Sequence, residues 1–155
     1  FQGRTESPVN YVNAPVVAAG RGITVEEMKQ RSSPDYTSLV GVTVQANGDE
    51  IGVSGTIIGG ESRHWLASML GYQIEIELAP LMVFFLYDDR PGIIGRVGTL
   101  FGEADVNIAN MAVSRTNQGG KALMALSIDT PAPAGLVAEF LAAGFDDARF
   151  IRLSP

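Results

Sequence analysis

From Leu81 onward the sequence changes hydrophobic period repeatedly, and this restricts the possible folds more than any other feature. "LMVFFLYD" (81–88) is a continuous apolar run of strand length. It ends in two acids and "RPG". In "PGIIGRVGTLFGEA", Ile94, Val97, Leu100, Phe101 and Ala104 then recur at helical spacing. "VNIANMAVSR" (106–115) and "KALMALSID" (121–129) read as strands turned back on each other at "TNQGG". "APAGLVAEFLAAG" reads as a second helix and "ARFIRL" as a last strand. The order is βαββαβ, which predicts two helices on one face of an antiparallel sheet, the ferredoxin-like split.

The first half is built differently. "VNAPVVAAGRG" predicts a short helix, with Asn13 at the N-cap, Pro15 in the first turn, and Gly20 or Gly22 at its end. "TVEE" has capping-box spacing and predicts a second helix from Thr24. "RSSPDYTS" reads as loop. Apolar and polar residues alternate on both sides of Asn47-Gly48, a hairpin signal, with Val40, Val42 and Val44 on one face. In "YQIEIEL", Ile74, Ile76 and Leu78 point one way and Gln73, Glu75 and Glu77 the other, as in a strand with one wet face. The class is α+β throughout, with a domain boundary expected at Pro80: residues 1–80 form a partial α+β domain and residues 81–155 a second one. The opening "FQG", with no initiator Met, reads as a tag scar or as native sequence exposed by a cut, so a fragment is expected.

Charge and composition remove several functions. The net charge is −6 and the 11 Lys and Arg are not clustered, which excludes nucleic acid and anionic membranes as expected partners. The longest apolar run, Leu78 to Tyr87, is too short to span a bilayer. No signal peptide is visible. The chain has no cysteine, so disulfides, thiol catalysis and thiolate metal sites are absent, in keeping with a cytoplasmic protein. The one histidine, His64 in "SRHW", has no nucleophile-elbow serine to serve. The glycines spell neither G-x-G-x-x-G nor a Walker loop. No catalytic residue, metal or cofactor is expected in these residues.

One stretch has the makings of a site. A strand ends at Tyr87-Asp88-Asp89, the chain turns at Arg90-Pro91-Gly92, and a helix begins. Free amides at a helix N-terminus favour an anion, so the backbone near Gly92, Ile93 and Ile94 suits a carboxylate. Asp89, just before the turn, is placed to hold an ammonium, and the two together describe a receptor for a free α-amino acid. Small residues at Gly92, Gly95 and Gly98 would let a ligand or another backbone approach. The same residues allow a plainer reading, in which Asp89 caps the helix and the glycines ease helix–sheet packing.

"YDDRPGIIGRVGTLFGEADVNIANM" resembles the ACT domain, a small-ligand regulatory module of amino-acid metabolism, in its D-R-P-G turn and its V-N-I after the helix. "PVNYVNAPVVAAGRGITVEEMKQRSSPDYTSLVGVTV" and "VSGTIIGG" resemble the intervening allosteric substrate-binding domain of long-form bacterial D-3-phosphoglycerate dehydrogenases. Together the two segments look like the C-terminal end of such an enzyme. The resemblance implies a parent that oxidises 3-phosphoglycerate with NAD in L-serine biosynthesis, the NAD being held outside these residues. It also implies feedback inhibition by L-serine bound between ACT domains of neighbouring subunits. Tyr87, Asp89 and Asn107 match the family's serine-holding positions. Asp89 takes the ammonium, Gly92 to Ile94 the carboxylate side, and Asn107 reaches across the interface. Arg90 and Pro91 complete the turn, and self-association through ACT domains follows.

Two features depart from that pattern. Relatives that bind an anion in the intervening domain use basic residues around the loop here written "SRHWLASMLGYQIEIEL". Only Arg63 and His64 are basic there; Tyr72-Gln73 stands where some relatives have Arg-His, and Glu77 where a base is expected. The dehydrogenase portion is also missing, along with the first strand and helix of the intervening domain, which would leave a sheet edge open to self-association. Two alternatives remain: the regulatory part of an iron–sulfur L-serine dehydratase, and a ligand-free ACT dimerisation module.

Overall fold

The computed structural model describes residues 9–10, 12–28, 36–59, 63–116 and 120–153. The chain forms two compact units, residues 1–33 and residues 34–155.

The first unit contains helix α1 (Ala14–Gly20), with Asn13 at the N-cap and a proline in its first turn. Arg21 and Gly22 donate to Ala18 and Ala19 of the last turn, and Gly22 has φ 70°. The helix expected from Thr24 is not present over Ile23–Met28. Ile23, Val25 and Met28 there are 42%, 65% and 84% exposed. A capping box lowers the cost of starting a helix, but a short helix also needs an apolar face packed on something. Residues 29–35, including most of the expected loop, lie outside the described residues.

The second unit holds two four-stranded antiparallel sheets. In the first, β1 (Val40–Ala46), β2 (Asp49–Ile58), β3 (Arg63–Met69) and β4 (Tyr72–Glu77) lie in chain order. The β1–β2 turn is the expected hairpin: Asn47 and Gly48 both have positive φ, 55° and 89°, as a type I′ turn requires. β3 was not legible in the sequence, because "RHWLASM" follows no clean alternation. A register shift between Leu66 and Ser68 accounts for this, since it breaks the two-residue period.

The second sheet contains β5 (Leu81–Asp88), β6 (Ile108–Arg115), β7 (Lys121–Ile128) and β8 (Asp147–Arg152), in the order β6-β7-β5-β8. Helix α2 (Ile93–Glu103) connects β5 to β6, and α3 (Leu136–Ala142) connects β7 to β8. This is the expected ferredoxin-like βαββαβ arrangement. β5 and β7 are central, which explains why both read as near-continuous apolar runs: the two faces are covered by different layers.

On one face, Ile93, Val97 and Phe101 of α2 and Leu136 and Phe140 of α3 pack on Val83, Phe85 and Tyr87 of β5 and Met124 and Leu126 of β7. Phe85 lies at the centre, its ring 4.4 Å from that of Phe140 and 5.0 Å from that of Phe145. On the other face, Met82, Phe84, Leu123 and Ala125 meet Leu66, Tyr72, Ile74 and Ile76 of the first sheet. β4 runs beside β6 and β7, where Ala112 and Ala125 are small enough for a close approach. Pro80, the expected boundary, therefore sits between two sheets that share a core. No helix among the described residues is long and apolar enough to cross a membrane.

Candidate functional site

The site forms where β5 gives way to α2. Asp89 donates its amide to the Gly120 carbonyl, and the Asp146 amide donates to Leu86, so both sides of the strand end are fastened. Lys121 pairs with Asp88 at 2.7 Å and with Asp146 at 2.8 Å. Hydrogen bonding to the Lys121 ammonium, then its charge, holds the Asp88 carboxyl below its ordinary value; Asp146 and Asp88 in turn raise Lys121. This network lies beside the turn, at the surface.

Gly92 occupies the N-cap with φ 91°, a conformation that explains glycine after proline. No side chain caps α2. The plainer reading of Asp89 as a helix cap therefore does not hold. Its carboxylate instead meets Arg115, Oδ2 to Nη1 at 3.0 Å. Nor do the helix glycines serve packing within the chain: a Cβ at Gly92, Gly95 or Gly98 would meet nothing within 4 Å. The buried stripe Ile93, Val97 and Phe101 turns those glycines away from the sheet.

An open cleft of about 570 Å³ lies between this turn and the edge strand β6. Tyr87, Asp89, Arg90, Pro91, Gly92, Ile93 and Ile94 line it, together with Val113 and Arg115. Seven of the site residues expected from sequence thus converge on one cavity. The register explains the two additions. Arg115, Ala122 and Tyr87 form one rung across the sheet, and Val113, Met124 and Phe85 form another. Directly opposed residues share a face, so Val113 and Arg115 emerge on the helix side, at the mouth of α2. Burial and then the charge of Asp89 push the Tyr87 hydroxyl above its ordinary pKa. It therefore stays protonated as a donor.

Asn107 is placed elsewhere. It precedes β6, and its side-chain amide donates to Asp129 at 2.6 Å. Arg115 is the eighth and last residue of β6, roughly 26 Å from Asn107 at strand rise. One copy of the chain cannot bring it to the cleft. Arg63 and His64 do not converge either. They are neighbours on β3 and leave opposite faces of the sheet, and Arg63 pairs with Glu77 at 3.3 Å. Among the described residues no group of three or more acidic or histidine side chains is placed to hold a metal.

Residues 81–153 fold as a ferredoxin-like sheet with an open cleft at its first strand–helix turn. Residues 81–145 match the ACT domain, and residues 3–66 match the D-3-phosphoglycerate dehydrogenase intervening domain. The chain belongs to the regulatory region of the D-3-phosphoglycerate dehydrogenase family. It is 38% identical over 156 residues to the D-3-phosphoglycerate dehydrogenase of Archaeoglobus fulgidus, covering 99% of this chain and 29% of that protein. Identity to the Synechocystis enzyme of the same name is 40% over 147 residues, 94% of this chain and 26% of the relative. For the Bacillus subtilis enzyme it is 36% over 126 residues, 81% and 24%. The chain thus spans about a quarter of the length of these relatives.

Proposed function

We propose that this chain senses L-serine, or a similarly small amino acid, through the cleft of its ACT domain, and that this binding inhibits a parent D-3-phosphoglycerate dehydrogenase. The observation that carries the reading is the pairing of opposite charges inside one cleft. Asp89 offers a carboxylate for an ammonium. The first amides of α2 have no acceptor within the helix and favour a carboxylate. Tyr87 adds a protonated hydroxyl. In this reading residues 81–155 are the sensing module and residues 1–80 the intervening segment. The parent is a cytoplasmic enzyme whose NAD site and catalytic groups lie outside these residues.

The position of Asn107 supports a paired state. β6 is an edge strand. If two copies align their β6 strands antiparallel, Asn107 of a second copy comes to the Arg115 end of the first, next to its cleft. Two-fold symmetry then gives two equivalent sites. A ligand that binds only the paired arrangement shifts the population toward it, and that shift is what a distant catalytic domain would feel.

Calorimetric titration with L-serine, against glycine, L-alanine and D-serine, tests this. Saturable, stereoselective binding that disappears in Asp89→Ala is the expected result. A folded, dimeric sample that binds none of the four would overturn it. That outcome would favour a ligand-free assembly module, a reading to which the internal Asp89–Arg115 pair lends support.

A further inference from the structure

We infer that Arg115 is the residue that recognises the ligand's carboxylate, and that Asp89 and Arg115 act together as a clamp for a zwitterion. The inference deepens the amino-acid-sensing reading and rests on it. The two side chains meet at 3.0 Å and both line the cleft. Apart from Asp89, Arg90 and Arg115, the cleft is lined by uncharged residues, among them the apolar Pro91, Ile93, Ile94 and Val113.

Arg90 is the other cation in the lining, but its guanidinium lies against Gly144, 3.0 Å from where a Cβ would stand. That places its charge toward the loop before β8, and Arg90 also helps lower Asp88. The Arg115 side chain is 58% exposed against 22% for Asp89. A planar guanidinium on the last residue of an edge strand can rotate about its long stem while Asp89, fastened by its backbone to Gly120, stays in place.

A zwitterion entering the cleft exchanges one internal ion pair for two new ones. Its ammonium takes Asp89 and its carboxylate takes Arg115, with bidentate geometry available to the second pair. A ligand with only one of these charges breaks the internal pair without restoring it. The clamp therefore selects for molecules with both charges about one amino-acid backbone apart, and rejects amines and carboxylic acids of the same shape.

The test compares L-serine with L-serinamide, which keeps the ammonium and a neutral carbonyl but lacks the carboxylate. Calorimetry is run on the dimeric wild-type chain, on Arg115→Gln and on Arg115→Lys, each checked for an unchanged thermal transition. The wild type is expected to bind L-serine at least about tenfold more tightly than L-serinamide. Arg115→Gln should bring the two within about twofold by weakening serine alone, and Arg115→Lys should recover part of the difference. If Arg115→Gln keeps the full preference for serine, the amides of α2 carry the carboxylate and the clamp is wrong, while the sensing reading stands. If the wild type binds neither compound, the sensing reading fails and the clamp falls with it.

Discussion

The two sheets put their apolar side chains to different use. In β7 every residue after Lys121 is buried, whereas in β1 every residue is exposed. The difference does not lie in residue type alone. Val42, Val53, Met69 and Tyr72 lie in register across the first sheet, so the exposed valines of β1 and β2 continue the face that β4 buries. Tyr72, Ile74 and Ile76 are covered by the second sheet, while Val40, Val42 and Val44 are 72%, 56% and 57% exposed. An apolar face stabilises only where another layer covers it. The second sheet, between two helices and β3–β4, has a layer on each side.

Mutations can break this comparison. Phe85→Ala removes the ring at the centre of the helix-side core and should cost about 3–5 kcal/mol in urea unfolding. Ile76→Ala, at the junction of the sheets, should cost about 2–5 kcal/mol; a value near zero would mean that the sheets do not pack together in solution. Gly92→Ala forces a side chain into φ 91° and should cost about 1–2 kcal/mol, with any serine binding weakened because the turn carries the cleft.

Smaller effects come from charge and from the exposed face. Tyr87 has its pKa raised above the ordinary 10.0 by burial and by Asp89. The folded state therefore holds that proton more tightly than the unfolded chain. The resulting stability is present below pH 10.0 and lost as pH rises through the raised value. The alkaline limb of a stability–pH curve should be shallower in Tyr87→Phe. Raised Lys121 acts in the same direction, so a residual slope should remain. Val42→Ala should change stability by no more than about 0.5 kcal/mol. A cost matching that of Ile76→Ala would sink the contrast, since it would mean that the β1–β2 face is covered in solution.

The parts of the molecule read correctly from sequence are those set by local physics. β5 is visible as an apolar run, the β1–β2 turn as Asn-Gly, and α2 as a periodic stripe behind Pro-Gly, although the buried stripe starts at Ile93 and the expected Ile94 is exposed. Because Tyr87 to Ile94 are contiguous, the turn that joins strand to helix gathers them into one wall without help from the rest of the chain. Local signals failed where a tertiary partner had to decide. The capping box at Thr24 started no helix over Ile23–Met28, whose apolar side chains are exposed, and β3 lost its period to a bulge.

The sequence by itself thus determined the order of elements in residues 81–153, the turn that opens the cleft, and one charge of the site, Asp89. Tertiary structure alone decided the other charge. Arg115 is 26 residues from Asp89 and reaches it only because β6 pairs with β7, and β7 with β5, in the register that aligns Arg115, Ala122 and Tyr87. The same register carries Asn107 to the far end of β6, away from the cleft of its own chain. A one-residue slip would turn Arg115 to the opposite face, and pairing register depends on the packing of whole sheets rather than on any short stretch of sequence.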